Sequence, residues 1–314
     1  AKDQIDAALD FGFPPPLVLD RLSVDRDTRH TNLYLYTHIN LLENLTLTLG
    51  GSGDFFDTDD ELVNERDQFN PKIGITWNLD SGTTFRAAAF RVLKRTLITD
   101  QTLEPTQVAG FNQFFDEFNA TDYWRYGAAI DQKFSGRVYG GVEYTYRDLD
   151  VPYTDFTGPT PVMGEADWKE KLARAYLFWT PTNSIALTAE YLYEDLDRDE
   201  ISGPSAKESQ THYVPLGIHF FHSSGLSASL KGTYIDQEGE YERKDDRGVF
   251  VAGSDDFWVV DAAINYRLPK RYGIVTVGVN NLFDESFDYY DSDWENSRIQ
   301  PERFVYARIT LAFP

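Results

Sequence analysis

Five histidines, His30, His38, His212, His219 and His222, are the side chains of this 314-residue chain best suited to proton transfer or metal ligation. A metal or general-base site needs them at short, defined spacing from another histidine, a cysteine or a carboxylate. None has that arrangement. Cysteine is absent, and His219 and His222, three apart at the end of an alternating segment, point to opposite faces. His212 with Ser209 and a nearby acidic run is the closest approach to a hydrolase set, but no spacing motif singles it out, so no enzyme activity is expected. Two acidic runs, Asp54, Asp57, Asp59, Asp60 and Glu61, and Asp195, Asp197, Asp199 and Glu200, offer oxygen ligands for loop-bound Ca²⁺. Neither follows the twelve-residue calcium loop, and no obligatory cofactor is expected.

The remaining charges form a pattern of another kind. Arg125, Asp131, Glu143, Arg147, Arg174, Glu190, Glu194, His219, Lys231, Asp261, Arg267 and Arg308 all fall on the polar face of segments whose other face is apolar. In 31–42, Leu33, Leu35, Ile39 and Leu41 oppose Asn32, His38 and Asn40. In 183–195, Ile185, Leu187, Ala189, Tyr191 and Tyr193 alternate with Thr188, Glu190 and Glu194. Period two is the signature of strands, and segments of roughly ten to fifteen residues are long enough to cross a bilayer at a tilt.

The pattern predicts strands near 3–13, 30–42, 44–57, 68–79, 83–93, 122–134, 136–149, 168–181, 183–196, 209–222, 225–237, 254–268, 272–283 and 299–313. Short turns such as Asp80-Ser81-Gly82, Ser135-Gly136 and Pro181-Thr182-Asn183 alternate with long acidic or aromatic connections. This rhythm predicts an all-β protein: a transmembrane, antiparallel, up-and-down β-barrel of about fourteen strands, with short periplasmic turns and long extracellular loops. A soluble β-sandwich shares the alternation, but an apolar face along whole crossings fits a lipid-facing wall better. No apolar run is long enough for a transmembrane helix, and a mean hydropathy of −0.44 does not exclude a barrel, because only alternate residues face lipid. The charged set would then line the lumen, pairing across strands or bordering a solute path, while Trp77, Trp124, Tyr126, Trp179, Tyr191, Tyr193 and Trp258 would anchor the wall at the headgroups. Phe111 to Phe118 is a candidate loop helix or lid, with loop packing as the simpler alternative.

A net charge of −22 argues against nucleic acid and anionic membrane surfaces as partners and makes cations the better expectation. Outer-membrane lipid and lipopolysaccharide are the expected surroundings, with divalent bridging to lipopolysaccharide phosphates a role open to the acidic runs. The absence of a basic, apolar leader before Ala1 fits a mature, truncated or excised chain. One domain spanning 1–314, possibly the C-terminal part of a longer chain, is the simplest organisation.

The C-terminal segment carries the most specific signals. Tyr306, Ile309, Leu311 and Phe313 lie in an alternating run that resembles the terminal strand by which the barrel-assembly machinery recognises outer-membrane proteins, with Pro314 a small departure. Upstream, Asn280, Asn281, Leu282, Phe283 and Asp284, followed by Arg298, Pro301, Glu302 and Arg303, resemble the last strands of TonB-dependent receptors. That resemblance implies a 22-stranded barrel around a plug and uptake of iron chelates, cobalamin or sugars. Neither a plug nor a TonB-contacting box is recognisable here, so TonB is a partner only if an upstream plug exists. Transport or uptake of an unknown solute across the bacterial outer membrane is the expected function. The alternative is a smaller closed barrel anchoring a periplasmic module such as helical repeats.

Overall fold

The computed structural model describes residues 2–7, 22–58, 66–80, 82–94, 104–113, 120–155, 162–199, 206–243, 246–291 and 299–312. Fourteen strands form one antiparallel sheet in chain order. They are β1 (Lys2–Ala7), β2 (Leu22–Leu42), β3 (Leu45–Thr58), β4 (Arg66–Asn78), β5 (Thr83–Leu93), β8 (Asp122–Lys133), β9 (Val138–Asp155), β10 (Val162–Thr182), β11 (Ile185–Arg198), β12 (Ala206–Phe221), β13 (Leu226–Arg243), β14 (Asp246–Arg267), β15 (Gly273–Asn280) and β16 (Phe304–Leu311). A small separate hairpin, β6 (Gln107–Val108) and β7 (Phe111–Asn112), interrupts the order between β5 and β8. The expected strands appear one for one. Among the described residues the ladder runs from β1 to β16 with no pairing between those two.

Alternation gives the sheet two unlike faces. Leu33, Leu35, Ile39 and Leu41 of β2, Ile73 and Trp77 of β4, Leu177 and Trp179 of β10, and Ile264 and Tyr266 of β14 are all exposed on one side. From Leu33 to Leu41 this belt runs about 26 Å along the strand at about 3.3 Å per residue. At a tilt of about 40° that is about 20 Å across a bilayer, close to the apolar band of an outer-membrane barrel. The opposite, inner face carries Thr48, Ser52, Asn70, Lys72, Arg125, Thr145, Arg147 and Glu170, all buried.

Several strands outrun the alternating segments at the end of the long connections; β9 continues to Asp155, and β10 begins at Val162. There both faces are polar, so period two disappears, while an antiparallel neighbour still satisfies the backbone. Asp54, placed by the sequence in an acidic loop, belongs instead to the inner face of β3, where it accepts bonds from Asn32 (2.9 Å) and Asn70 (2.7 Å). The candidate loop helix at Phe111 starts as strand β7; Phe114, Phe115 and Phe118 lie outside the described residues, as do Leu9, Phe11, Phe13 and Phe313.

At the short-turn end, Asp80 Oδ1 accepts the backbone N–H groups of Gly82 (2.8 Å) and Thr83 (2.9 Å). These bonds hold its carboxyl below the ordinary value of 3.8. A depressed carboxyl stabilises the turn above the unfolded pKa, and that stabilisation disappears as pH falls through the folded one. The Gly82 and Thr83 amide resonances are therefore expected to titrate together with a midpoint below 3.8, and Asp80→Asn to abolish the titration.

Candidate functional site: the inner wall and its two inward segments

Halfway along the wall, charges from five adjacent strands form one band. Arg86 of β5 donates from Nε to Asp131 Oδ2 on β8 (2.8 Å) and from Nη2 to Glu143 Oε2 on β9 (3.1 Å). Asp131 also accepts the Tyr176 hydroxyl from β10. Arg174, its guanidinium 4.8 Å from the Tyr176 ring, donates to Glu190 of β11 at 2.6 Å. Two guanidinium groups meet three carboxylates, so most of the charge is paired within the band and its surface is wettable.

Nearer the long-loop end, residues 104–113 fold back onto the inner face. Glu104 lies 3.4 Å from Lys72 Nζ, with side-chain exposures of 0% and 1%, and accepts the Tyr36 hydroxyl at 2.7 Å. Gln113 donates to Pro105 O (2.5 Å), Tyr123 donates its hydroxyl to Gln113 O, and Arg125 donates to Asn112 O (3.2 Å). Phe111 and Val108 are buried with Phe90, Val92, Tyr123, Leu149 and Val151. Two glycines make the seat: a Cβ on Gly127 would stand 2.5 Å from the Phe111 ring, and one on Gly74 2.8 Å from Ala109 Cβ.

A second segment, 281–291, packs on the inner face of β11 to β14. Asn281, fully buried at φ 48°, turns the chain; its side chain donates to Glu285 O (2.9 Å) and accepts Glu285 N–H (2.8 Å), while its own N–H reaches Asp261 (3.0 Å). Phe287 stacks on Phe257 with centroids 4.2 Å apart. Tyr213 donates to the Tyr289 hydroxyl at 3.0 Å, and burial beside Tyr213 pushes the Tyr289 phenol well up, so it stays neutral. Tyr290 exchanges two bonds with Gln237 (2.9 and 3.0 Å).

Arg198 stands beside this segment. It is 7% exposed, with its guanidinium 4.4 Å over the Trp168 ring and Nη1 3.2 Å from the Tyr290 hydroxyl. Its Nε has no partner, and no carboxylate pairs with it among the described residues. A buried guanidinium lacking a counter-charge and bracketed by aromatic rings is suited to an anionic group.

Of the residues named from the sequence, Asp131, Glu143, Arg174 and Glu190 meet in the band. Arg147 pairs with Glu170 under the Tyr123 ring, and Arg125 braces the hairpin. Glu194 is buried on the inner face of β11, and His219 lies on that of β12. Lys231, Arg267 and Arg308 make no ion pair among the described residues; Lys231 sits opposite Asp261 and Arg308 opposite Thr276. Asn280 ends β15, and Asp284 accepts Arg303 N–H at 2.9 Å; Leu282 and Phe283 lie in the turn between them. Ile309 and Leu311 face outward, whereas Tyr306 lies inward over Gly278. Lys72, Arg86, Glu104 and Arg198 escaped the sequence reading. Arg86 alone had a signal, the one charge in an inward column that continues with Ala88, Phe90 and Val92. Among the described residues no three His, Asp or Glu side chains gather to hold a metal.

Residues 4–105 match the family model described as TonB dependent receptor-like, beta-barrel. No curated protein matches the sequence significantly. Among solved structures, the chain is similar to the FrpB iron transporter from Neisseria meningitidis (TM-score 0.70, 16% identity, covering 91% of this chain and 45% of that one). It is also similar to FpvA from P. aeruginosa bound to pyoverdines (0.59, 16%, 87% and 37%) and to the siderophore receptor PirA from Pseudomonas aeruginosa (0.59, 16%, 94% and 50%). The chain thus spans half or less of their length, and at these identities the likeness is one of fold. The family match over residues 4–105, the fold and the lipid-facing belt place it in the outer membrane as a barrel wall.

Proposed function

From a wall with the fold of TonB-dependent receptor barrels, we propose that this chain takes part in the uptake of an anionic solute, in the first instance a ferric chelate, across the outer membrane. Arg198 carries this reading. It sits at the long-loop mouth with Trp168 and Tyr290 beside it and, among the described residues, no carboxylate paired with it. The band below, with two guanidinium groups against three carboxylates, gives a captured anion a polar wall that does not bind it a second time. The iron transporter and siderophore receptors of similar fold supply the ligand class to try first. No catalytic step is part of this function. TonB supplies the energy if a plug precedes this chain, and insertion through the barrel-assembly machinery uses the outward Ile309 and Leu311.

The test is uptake of radioactive iron, supplied as a panel of ferric chelates, by iron-starved cells carrying the full-length protein, with and without TonB. At least one chelate is expected to enter in a TonB-dependent manner. Arg198→Ala is expected to weaken its binding about tenfold to hundredfold, the worth of one charge-assisted contact, and Arg198→Lys less. Uptake unchanged by deleting the protein, or an Arg198→Ala variant that binds every transported chelate normally, would overturn the assignment.

A further inference from the structure

The short-turn half of β12 to β16 differs in charge from the rest of the molecule. The chain holds 51 aspartates and glutamates, yet none occurs in residues 211–235, 262–283 or 304–314, which supply that half of the five strands. Lys231, Arg267, Lys270, Arg271 and Arg308 do occur there. All five are exposed, and none makes an ion pair among the described residues. In a chain of net charge −22, cations grouped without carboxylates reverse the local field.

Two of these cations share one spot on the lumen side. Tyr266 of β14 and Ile309 of β16 are exposed on the lipid side, so Arg267 and Arg308, their chain neighbours, face inward. The two arginines straddle β15, Arg267 opposite Ile274 and Arg308 opposite Thr276. Strand spacing and the two-residue offset put their Cα atoms about 12 Å apart, a gap that two guanidinium groups can close on a single oxyanion. The floor between them is polar and uncharged, with the Thr276 hydroxyl donating to Asn265 at 2.7 Å. The one carboxylate bordering the patch is Asp261, which stands opposite Lys231, six residues up β14 from Arg267, and accepts Asn281 N–H at 3.0 Å. At the exit itself, Lys270 (φ 53°) and Arg271 (φ 63°) occupy left-handed turn positions that Asn and Gly fill most easily, and they add two more positive charges.

We propose that Arg267 and Arg308 form an oxyanion site at the periplasmic end of the lumen, which receives the anionic solute after it has passed the mid-wall band. Guanidinium forks match carboxylate and phosphate oxygens, and arginine and lysine side chains lining a passage favour anions. The band, richer in carboxylates, releases the anion toward this end, and the unpaired arginines hold it there. The cargo rests on the uptake role proposed above, whereas the anion chemistry of the site does not.

The experiment has two arms, both on the full-length protein. In the first, purified protein carrying Arg198→Ala is titrated with pyranine, a trisulfonated dye, at low ionic strength and followed by fluorescence anisotropy. One salt-sensitive dye site is expected, and adding Arg267→Gln with Arg308→Gln is expected to weaken it about tenfold or more. In the second, the same glutamine pair, with Arg198 intact, is expected to lower TonB-dependent uptake of the transported ferric chelate about tenfold while leaving chelate binding by cells without TonB unchanged. Dye binding that ignores the two arginines overturns the proposal; this arm needs no transported chelate, so its failure is separable from a failure at Arg198. A dye site that needs the arginines, with uptake undiminished by their loss, would show an adventitious ion only and overturn the transport role. Absence of a dye site, with a lower melting temperature in the glutamine pair, would assign the arginines to a carboxylate of another segment of the protein instead. Either single glutamine variant decides the matter if the pair fails to show heat-modifiable folding.

Discussion

Glu104→Ala is expected to destabilise the barrel by about 3–5 kcal/mol, the range for removing one partner of a buried ion pair. Lys72 and Glu104 are almost completely enclosed, at 1% and 0% side-chain exposure, so solvent does not take over the role of Glu104, and the Lys72 donation to Arg91 O (3.1 Å) meets a neutral carbonyl. The Tyr36 hydroxyl also loses an acceptor at 2.7 Å, and the hairpin loses its anchor at residue 104. Replacing both partners with apolar residues of similar size, Lys72→Met with Glu104→Leu, is expected to recover most of the loss, because the cost comes from an uncompensated charge more than from a lost attraction. Arg174→Ala is the control. Its ion pair with Glu190 is geometrically better, at 2.6 Å, but the side chains are 43% and 25% exposed, so a loss of about 0.2–1 kcal/mol is expected. Heat-modifiable gel mobility and thermal unfolding in detergent measure all three. If Glu104→Ala melts with Arg174→Ala, Lys72 has found water or another partner and the hairpin is not anchored as described.

Gly127→Leu is expected to expel the hairpin from the inner wall while leaving the sheet intact. Even a Cβ at this position would stand 2.5 Å from a Phe111 ring that is itself only 1% exposed and hemmed in by Val108 and Tyr123. The ring cannot slide aside within a packed cluster, so overpacking of about 1–3 kcal/mol is relieved by unseating the segment. Unseating forfeits about 1.5–3 kcal/mol of Phe111 burial. The strand itself tolerates leucine, since backbone pairing of Gly127 with Thr145 and Ala88 does not involve the side chain. Because the chain has no cysteine, a Val108→Cys reporter reads the outcome directly. Val108 is 0% exposed in the wild type, so the thiol is expected to resist a membrane-impermeant maleimide there and to react at least tenfold faster with Gly127→Leu. Equal labelling in the two backgrounds would show that the seat is not built from the glycine.

The charges inside the wall were legible to differing degrees. Asp131, Glu143, Arg174 and Glu190 lie in strands whose other face is plainly apolar, so period two alone assigned them to one face. Lys72 and Glu104 carry no such mark: one lies in a strand that follows an acidic run, the other in a connection, 32 residues away by their numbering. Arg198 was hidden for a related reason. It sits above the membrane, where polar residues occupy both sides of β11 and the pattern no longer distinguishes a buried guanidinium from a solvated one.

The sequence by itself determined the fourteen strands, their order, the lipid-facing side and the likeness of the C-terminal segment to outer-membrane barrels. The first three follow from local periodicity and from turn residues that act over a few positions, and the last from a resemblance of motif. Only the tertiary structure decided that residues 104–113 and 281–291 fold inward, that Arg86 joins two carboxylates from neighbouring strands, and that Arg198 is enclosed with no counter-charge among the described residues. Those facts depend on which atoms of distant segments share a volume, on small clearances such as the one above Gly127, and on desolvation. Periodicity along the chain contains none of that information.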